Sequence, residues 1–166
     1  MPRDGTTYWS ETMSWRDRFT ETEWNTLRLS PFAAWVFIAE SDRNTSINES
    51  FTQGFQAERL ASKGELLGEV VESYQDEPGM FALSEQLGLL VRSCQNREQA
   101  MAIAVANGVA LTREKLGDTE ADLFRDQLGE FTRAIAEADR DGVFGLRVSE
   151  AEASAIQKVL AALKLN

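Results

Sequence analysis

The sequence predicts an all-α fold, a single-domain bundle of about seven to nine helices. Three observations carry that expectation. Apolar residues recur at i, i+3, i+4 and i+7 through almost every segment. Helix caps and turn residues separate those stripes, and no run of alternating β-branched residues stands out.

Residues 1–19 form a polar arm with scattered aromatics (Tyr8, Trp9, Trp15, Phe19) and room for one short helix. The rest, 20–166, reads as one all-helical domain with halves at 20–75 and 80–166. Thr20-Glu21-Thr22-Glu23 has capping-box spacing, in which Thr20 and Glu23 each satisfy the other's backbone N–H. It opens a stripe at Trp24, Leu27, Pro31, Ala34, Trp35 and Ile38. Ser30-Pro31 looks like a cap followed by proline at a first helical position, so the stripe is predicted to split into two helices there. The second, Phe32 to Glu40, is apolar around nearly its whole circumference, which suits the centre of a bundle.

Asn48 can cap a helix bearing Phe51 and Phe55, with Gly64 as its break. Leu67, Val70, Val71 and Tyr74 continue the pattern. Gln75-Asp76-Glu77-Pro78-Gly79 is the clearest turn in the chain. A helix follows through Leu83, Leu87, Leu90 and Cys94, whose shared face predicts a buried structural thiol. Asn96 caps a long Ala-rich helix that Gly117-Asp118 ends and replaces with a new cap. Phe124, Leu128, Phe131 and Ile135 make the next stripe. Ser149-Glu150-Ala151-Glu152 is another capping box, followed by Ile156, Val159, Leu160 and Leu163.

Composition removes several functions. The 166 residues are 43% hydrophobic and 27% charged, as in ordinary globular domains, so whole-chain disorder is not expected. A net charge of −10, without any Lys/Arg cluster, disfavours nucleic acid and anionic membrane surfaces. Pro31 to Ala39, the longest apolar run, is too short to span a bilayer. The N-terminus lacks the apolar stretch of a signal peptide, and the lone cysteine fits a reducing, cytoplasmic compartment. With no histidine, the usual general base near neutral pH and His-ligated zinc are both missing.

One short motif recurs. Ile38-Ala39-Glu40-Ser41-Asp42-Arg43-Asn44 returns as Ile135-Ala136-Glu137-Ala138-Asp139-Arg140-Asp141, identical at all but two positions. Each copy ends a helical stripe and enters an acidic loop, the pattern of a pseudo-twofold duplication of a helix-loop-helix. Calcium or magnesium would prefer the hard oxygen ligands of such loops. The candidate metal ligands are Asp42 and Glu49 in the first loop and Asp139, Asp141 and Glu150 in the second. An EF-hand register fails. Starting at Glu137 puts Val148 at the closing acid position, and starting at Asp139 puts Phe144 where glycine must turn. Asp, Asn, Ser and Gly are also what ordinary helix-helix turns are made from, so turn chemistry stands beside the cation reading.

An apolar helix running into Ala/Ser-Asp, an acidic turn, a hydrophobic residue, a cap and a Glu resembles the TerB-like (tellurite-resistance-associated) helical proteins. The matching stretches are Ile38 to Glu49 and Ile135 to Glu152. The resemblance implies a compact cytoplasmic bundle, acidic residues suited to a divalent cation, and an accessory role in a stress or membrane-associated complex.

The leading functional expectation is a non-enzymatic helical module that binds another protein or itself. The aromatic arm docks either on the domain or on a partner. A divalent-cation-binding (Ca or Mg) stress-response protein is the second reading. A carboxylate-based enzyme is the third, with Glu137/Asp141 and Asp139/Glu150 as its acid pairs.

Overall fold

The computed structural model describes residues 14–41, 64–75, 77–140 and 150–164, with the side chains of 75, 77, 78 and 136–140 left aside. A 3-10 turn over Trp15–Arg18 leads into α1 (Glu21–Ser41). There follow α2 (Leu66–Glu72), a second 3-10 turn (Ser73–Gln75), α3 (Glu77–Ser93), α4 (Arg97–Leu116), α5 (Asp118–Arg140) and α6 (Glu150–Lys164). No strand occurs among the described residues, and the all-α expectation holds. Six α-helices are described where about seven to nine were expected. The helix expected around Phe51 and Phe55 lies outside the described residues.

Several starts follow their sequence signals. Glu23 N–H donates to Thr20 Oγ1 (3.2 Å) while Thr20 N–H donates to Glu23 Oε2 (2.8 Å), so α1 opens with the expected capping box. Gln99 N–H donates to Asn96 Oδ1 (2.8 Å), capping α4. Gly117, at φ 95°, ends α4 in a conformation that glycine tolerates and other residues resist. Asp118 is then the first residue of α5, held by Arg113 Nε at 3.0 Å. The turn expected over 75–79 is shorter than its composition suggests, because α3 already begins at Glu77. Pro78 sits in the first helical turn, where its missing N–H is not needed.

Pro31 does not divide α1. The helix runs unbroken through it, although an interior proline costs about 3 kcal/mol in isolation. Tertiary contacts hold the site. Ser30 Oγ donates to Ala104 C=O of α4 (2.7 Å). The Tyr74 hydroxyl donates to the Arg28 carbonyl and receives a hydrogen bond from Phe32 N–H, entering the helical ladder beside the proline. Burial then outweighs the lost backbone bond, since Leu27 through Ala34 are all buried.

α1 touches each of the other described helices and packs most extensively on α4. Their crossing is close because Gly108 faces Ser30: a methyl built on Gly108 would overlap Ser30 Oγ and come within 2.9 Å of its Cβ. The buried core that includes this crossing also takes in Leu67, Val70 and Val71 of α2, Val105 and Val109 of α4, and Ile156 and Val159 of α6. The α5 stripe Phe124, Leu128, Phe131 and Ile135 is fully buried as expected, and so is Tyr74. Each such side chain stabilises the fold by roughly 1.5–3 kcal/mol against exposure. The two echoed isoleucines, Ile38 and Ile135, are both buried near the ends of their helices.

The last six residues of the arm pack onto the domain. Trp15 N–H and Arg16 N–H donate to the two carboxylate oxygens of Glu69 (2.9 and 3.0 Å), and Trp15 Nε1 donates to Gly64 C=O (3.0 Å). Arg18 lies 4.8 Å from the Trp15 ring centre, and Phe19 is buried. Residues 1–13 lie outside the described residues.

Candidate functional site

α1 was expected to be enclosed along Phe32 to Glu40. Its inner side is: Phe32, Ala33, Ala34 and Ile38 are buried. Its other side is not, because Trp35, Val36 and Phe37 are only half-buried. They form one wall of a cleft of about 450 Å³, a size in the small-ligand and peptide-anchor range. α3 supplies the opposite wall through Met80, Ser84, Leu87, Gly88 and Val91, and Met101 of α4 contributes to the lining. At one end Arg97 Nη1 pairs with Glu40 Oε2, and both side chains remain largely exposed.

The base of the cleft is rigidly built. Phe32 packs against Trp35 (ring centres 5.6 Å) and edge-on to Tyr74 (6.4 Å). Behind it, Arg28 is only 8% exposed, its Nε donating to Ser73 Oγ (2.9 Å) and Nη2 to Ser73 C=O (3.4 Å). Its guanidinium lies 5.7 Å from the Tyr74 ring centre. A Cβ on Gly79 would overlap that guanidinium, so the start of α3 is glycine where it passes Arg28. Burial pushes the Tyr74 hydroxyl well above its usual pKa. The Arg28 charge and the Phe32 N–H bond oppose that rise without cancelling it.

α3 itself has the sequence of an enclosed helix and the environment of a surface one. Apolar side chains point to nearly all sides of it: Met80, Phe81, Leu83, Leu87, Leu89, Leu90 and Val91. Among its described side chains only Leu83 is fully buried. Phe81 is 69% exposed and Leu89 is 62% exposed, the large hydrophobic side chains most open to solvent among the described residues. The stripe expected to be buried, Leu83, Leu87, Leu90 and Cys94, is enclosed only at Leu83, and Cys94 is half-buried just beyond the helix end. A helix can carry this pattern without being enclosed when part of its apolar surface faces a cleft and part faces outward.

The acidic loops fall mostly outside the described residues. Asp42, Glu49 and Asp141 do so entirely, and Asp139 lies in the last turn of α5 with its side chain left aside. Glu150 is the first residue of α6 and is exposed. Among the described residues, no group of three or more His, Cys, Asp or Glu side chains is placed to hold a metal ion. The buried carboxylate among them is Glu152, at 4% exposure on the first turn of α6. Glu23 is held below its ordinary pKa, first by its hydrogen bond with Lys115 (2.8 Å) and then by Thr20 N–H. Lys115 is raised in return.

Sequence reading did not single out Phe81, Gly88 or Leu89. The available signal was a helix with apolar residues on nearly all sides. No described helix is long and apolar enough to cross a membrane. Compared with known proteins, the chain matches no family model, no curated protein and no solved structure at a significant level. The stretches that resemble the TerB-like proteins lie largely within 42–49 and 141–149, outside the described residues.

Proposed function

We propose that this protein is a non-enzymatic interaction module, a cytoplasmic helical scaffold that docks another polypeptide on α3 and on the cleft beside it. The observation that supports this reading is α3: seven large apolar residues on one helix, of which one is fully buried. Exposed apolar surface of this kind costs solubility unless something covers it, and it is typical of protein-binding sites. The cleft adds preformed aromatic depth, with Phe32 and Trp35 held by packing rather than by loops. Anchors of this kind supply most of the binding energy at protein interfaces. The lone half-buried cysteine suits a reducing compartment.

Site-specific photo-crosslinking tests the reading. A photoreactive amino acid placed at Phe81 or Leu89 in cells should give discrete adducts. The same probe at the exposed Glu130 of α5, on another helix, should not. Absence of adducts at both α3 positions, or equal labelling from Glu130, would overturn it.

A further inference from the structure

We propose that the partner of α3 is a second copy of this chain, bound as an antiparallel α3–α3 pair about a twofold axis. This rests on the reading of α3 as a docking surface and adds the identity of what docks there. Phe81, Glu85, Gly88 and Arg92 are spaced four, three and four residues apart, so they follow one line along the helix. Leu89 flanks that line and is exposed. The line carries one acid and one base, Glu85 and Arg92, about two turns or roughly 10 Å apart. In an antiparallel pair centred on Gly88 and Leu89, each Glu85 meets the Arg92 of the other copy, and each Leu89 faces the other copy's Gly88.

That register is complementary in shape as well as in charge. A Cβ built on Gly88 would meet nothing closer than the Arg92 Nη2, at 3.8 Å, so the glycine leaves open room for a leucine from outside. In the single chain Arg92 lies back along its own helix, Nε reaching Gly88 C=O at 3.3 Å. It is an exposed side chain, and swinging outward to Glu85 of the other copy clears the space above Gly88. A closer-centred register that stacks Phe81 on Leu89 would instead set Glu85 against Glu85 and is disfavoured. Isologous contacts of this kind are the commonest route to homodimers.

Two features limit the strength of the pair. One helix face covers less area than the standard interface, so the dimer is micromolar or weaker. Each copy also carries −10 net charge, so the two repel at long range. Salt screens that repulsion, with a Debye length of about 8 Å at physiological strength, and the dimer therefore tightens as salt rises from low values. A basic partner would show the opposite salt dependence.

Sedimentation velocity of the full chain from micromolar to millimolar concentration tests the proposal. We expect a monomer-dimer equilibrium that Glu85→Arg alone or Arg92→Glu alone weakens about tenfold, because two equivalent ion pairs become two repulsions. The double variant E85R/R92E keeps the two signs and should restore the wild-type dimer, whereas a different partner would not tolerate it. Leu89→Asp should leave a monomer with unchanged circular dichroism. A monomer at every concentration, a dimer indifferent to these changes, or failure of the double variant to restore association would overturn the proposal. A monomer whose α3 still crosslinks to another protein would overturn the self-pairing and leave the interaction reading standing.

Discussion

Replacing Gly108 with alanine probes the crossing on which the core is assembled. In an open helix interior the change would stabilise by up to about 1 kcal/mol, because alanine loses less backbone entropy. Here the new methyl would overlap Ser30 Oγ and press on Ser30 Cβ at 2.9 Å, with Phe124 Cε1 at 3.4 Å. Ser30 has no room to retreat, being fully buried and bonded to Ala104 C=O. Overpacking of this kind costs about 1–3 kcal/mol, and displacing the buried hydroxyl adds roughly 1 kcal/mol or more. The net expectation is a loss of about 2 kcal/mol, or a fall in Tm of roughly 4–8 °C for a chain of this size. Adding Ser30→Ala to Gly108→Ala removes the overlap with Oγ and should cost less than the two single changes together, a coupling of about 1 kcal/mol. Urea unfolding of the four proteins in the cycle measures it. Gly108→Ala at or above wild-type stability would refute the close crossing of α1 and α4.

Other outcomes follow from the same geometry. Gly88→Ala should raise stability by up to about 1 kcal/mol, since its Cβ enters open space on α3; thermal denaturation checks the contrast with Gly108. Tyr74 has its folded pKa raised, so its contribution is complete below the ordinary tyrosine value of 10.0 and is lost as pH rises through the folded value. Unfolding midpoints should therefore drop above about pH 10, and Tyr74→Phe should flatten that loss. At neutral pH it should cost about 1–2 kcal/mol for the buried hydrogen bond that the Arg28 carbonyl loses. Glu23 has its folded pKa lowered, so its contribution is complete above the ordinary value of 4.5 and disappears as pH falls through the folded one. Glu23→Gln should remove that acid-side dependence. Glu69→Ala should free two backbone N–H donors and expose Trp15, seen as a red shift in fluorescence with roughly 1–3 kcal/mol of lost stability.

Much of the fold was legible because local signals and burial agree. The capping box at Thr20/Glu23, the cap at Asn96 and the stop at Gly117 all act within one turn of chain, and short-range chemistry is readable in order. The stripes Leu67-Val70-Val71-Tyr74 and Phe124-Leu128-Phe131-Ile135 carried enough apolar surface that no arrangement could leave them outside. The candidate site was less legible. Phe32 to Glu40 read as an enclosed helix and α3 as a single inward stripe at Leu83, Leu87, Leu90 and Cys94, and periodicity does not say which apolar surface will face a cleft. The acidic positions were conspicuous in the sequence, yet Glu150, their one described side chain, is simply exposed.

By itself, then, the sequence determined that this protein is helical, where most of its described helices begin, and which faces of α2 and α5 are buried, because caps and 3.6-residue periodicity act locally. Tertiary structure alone decided that α1 would pass through Pro31. A hydroxyl from Tyr74, remote in the chain, enters the ladder there, and Gly108 lets α4 approach closely enough to grip Ser30. It also decided that α3 would remain half outside. The volume beside α1 is filled by α4, α5 and α6, and the apolar surface left over on α3 is set by what that packing has no room to cover.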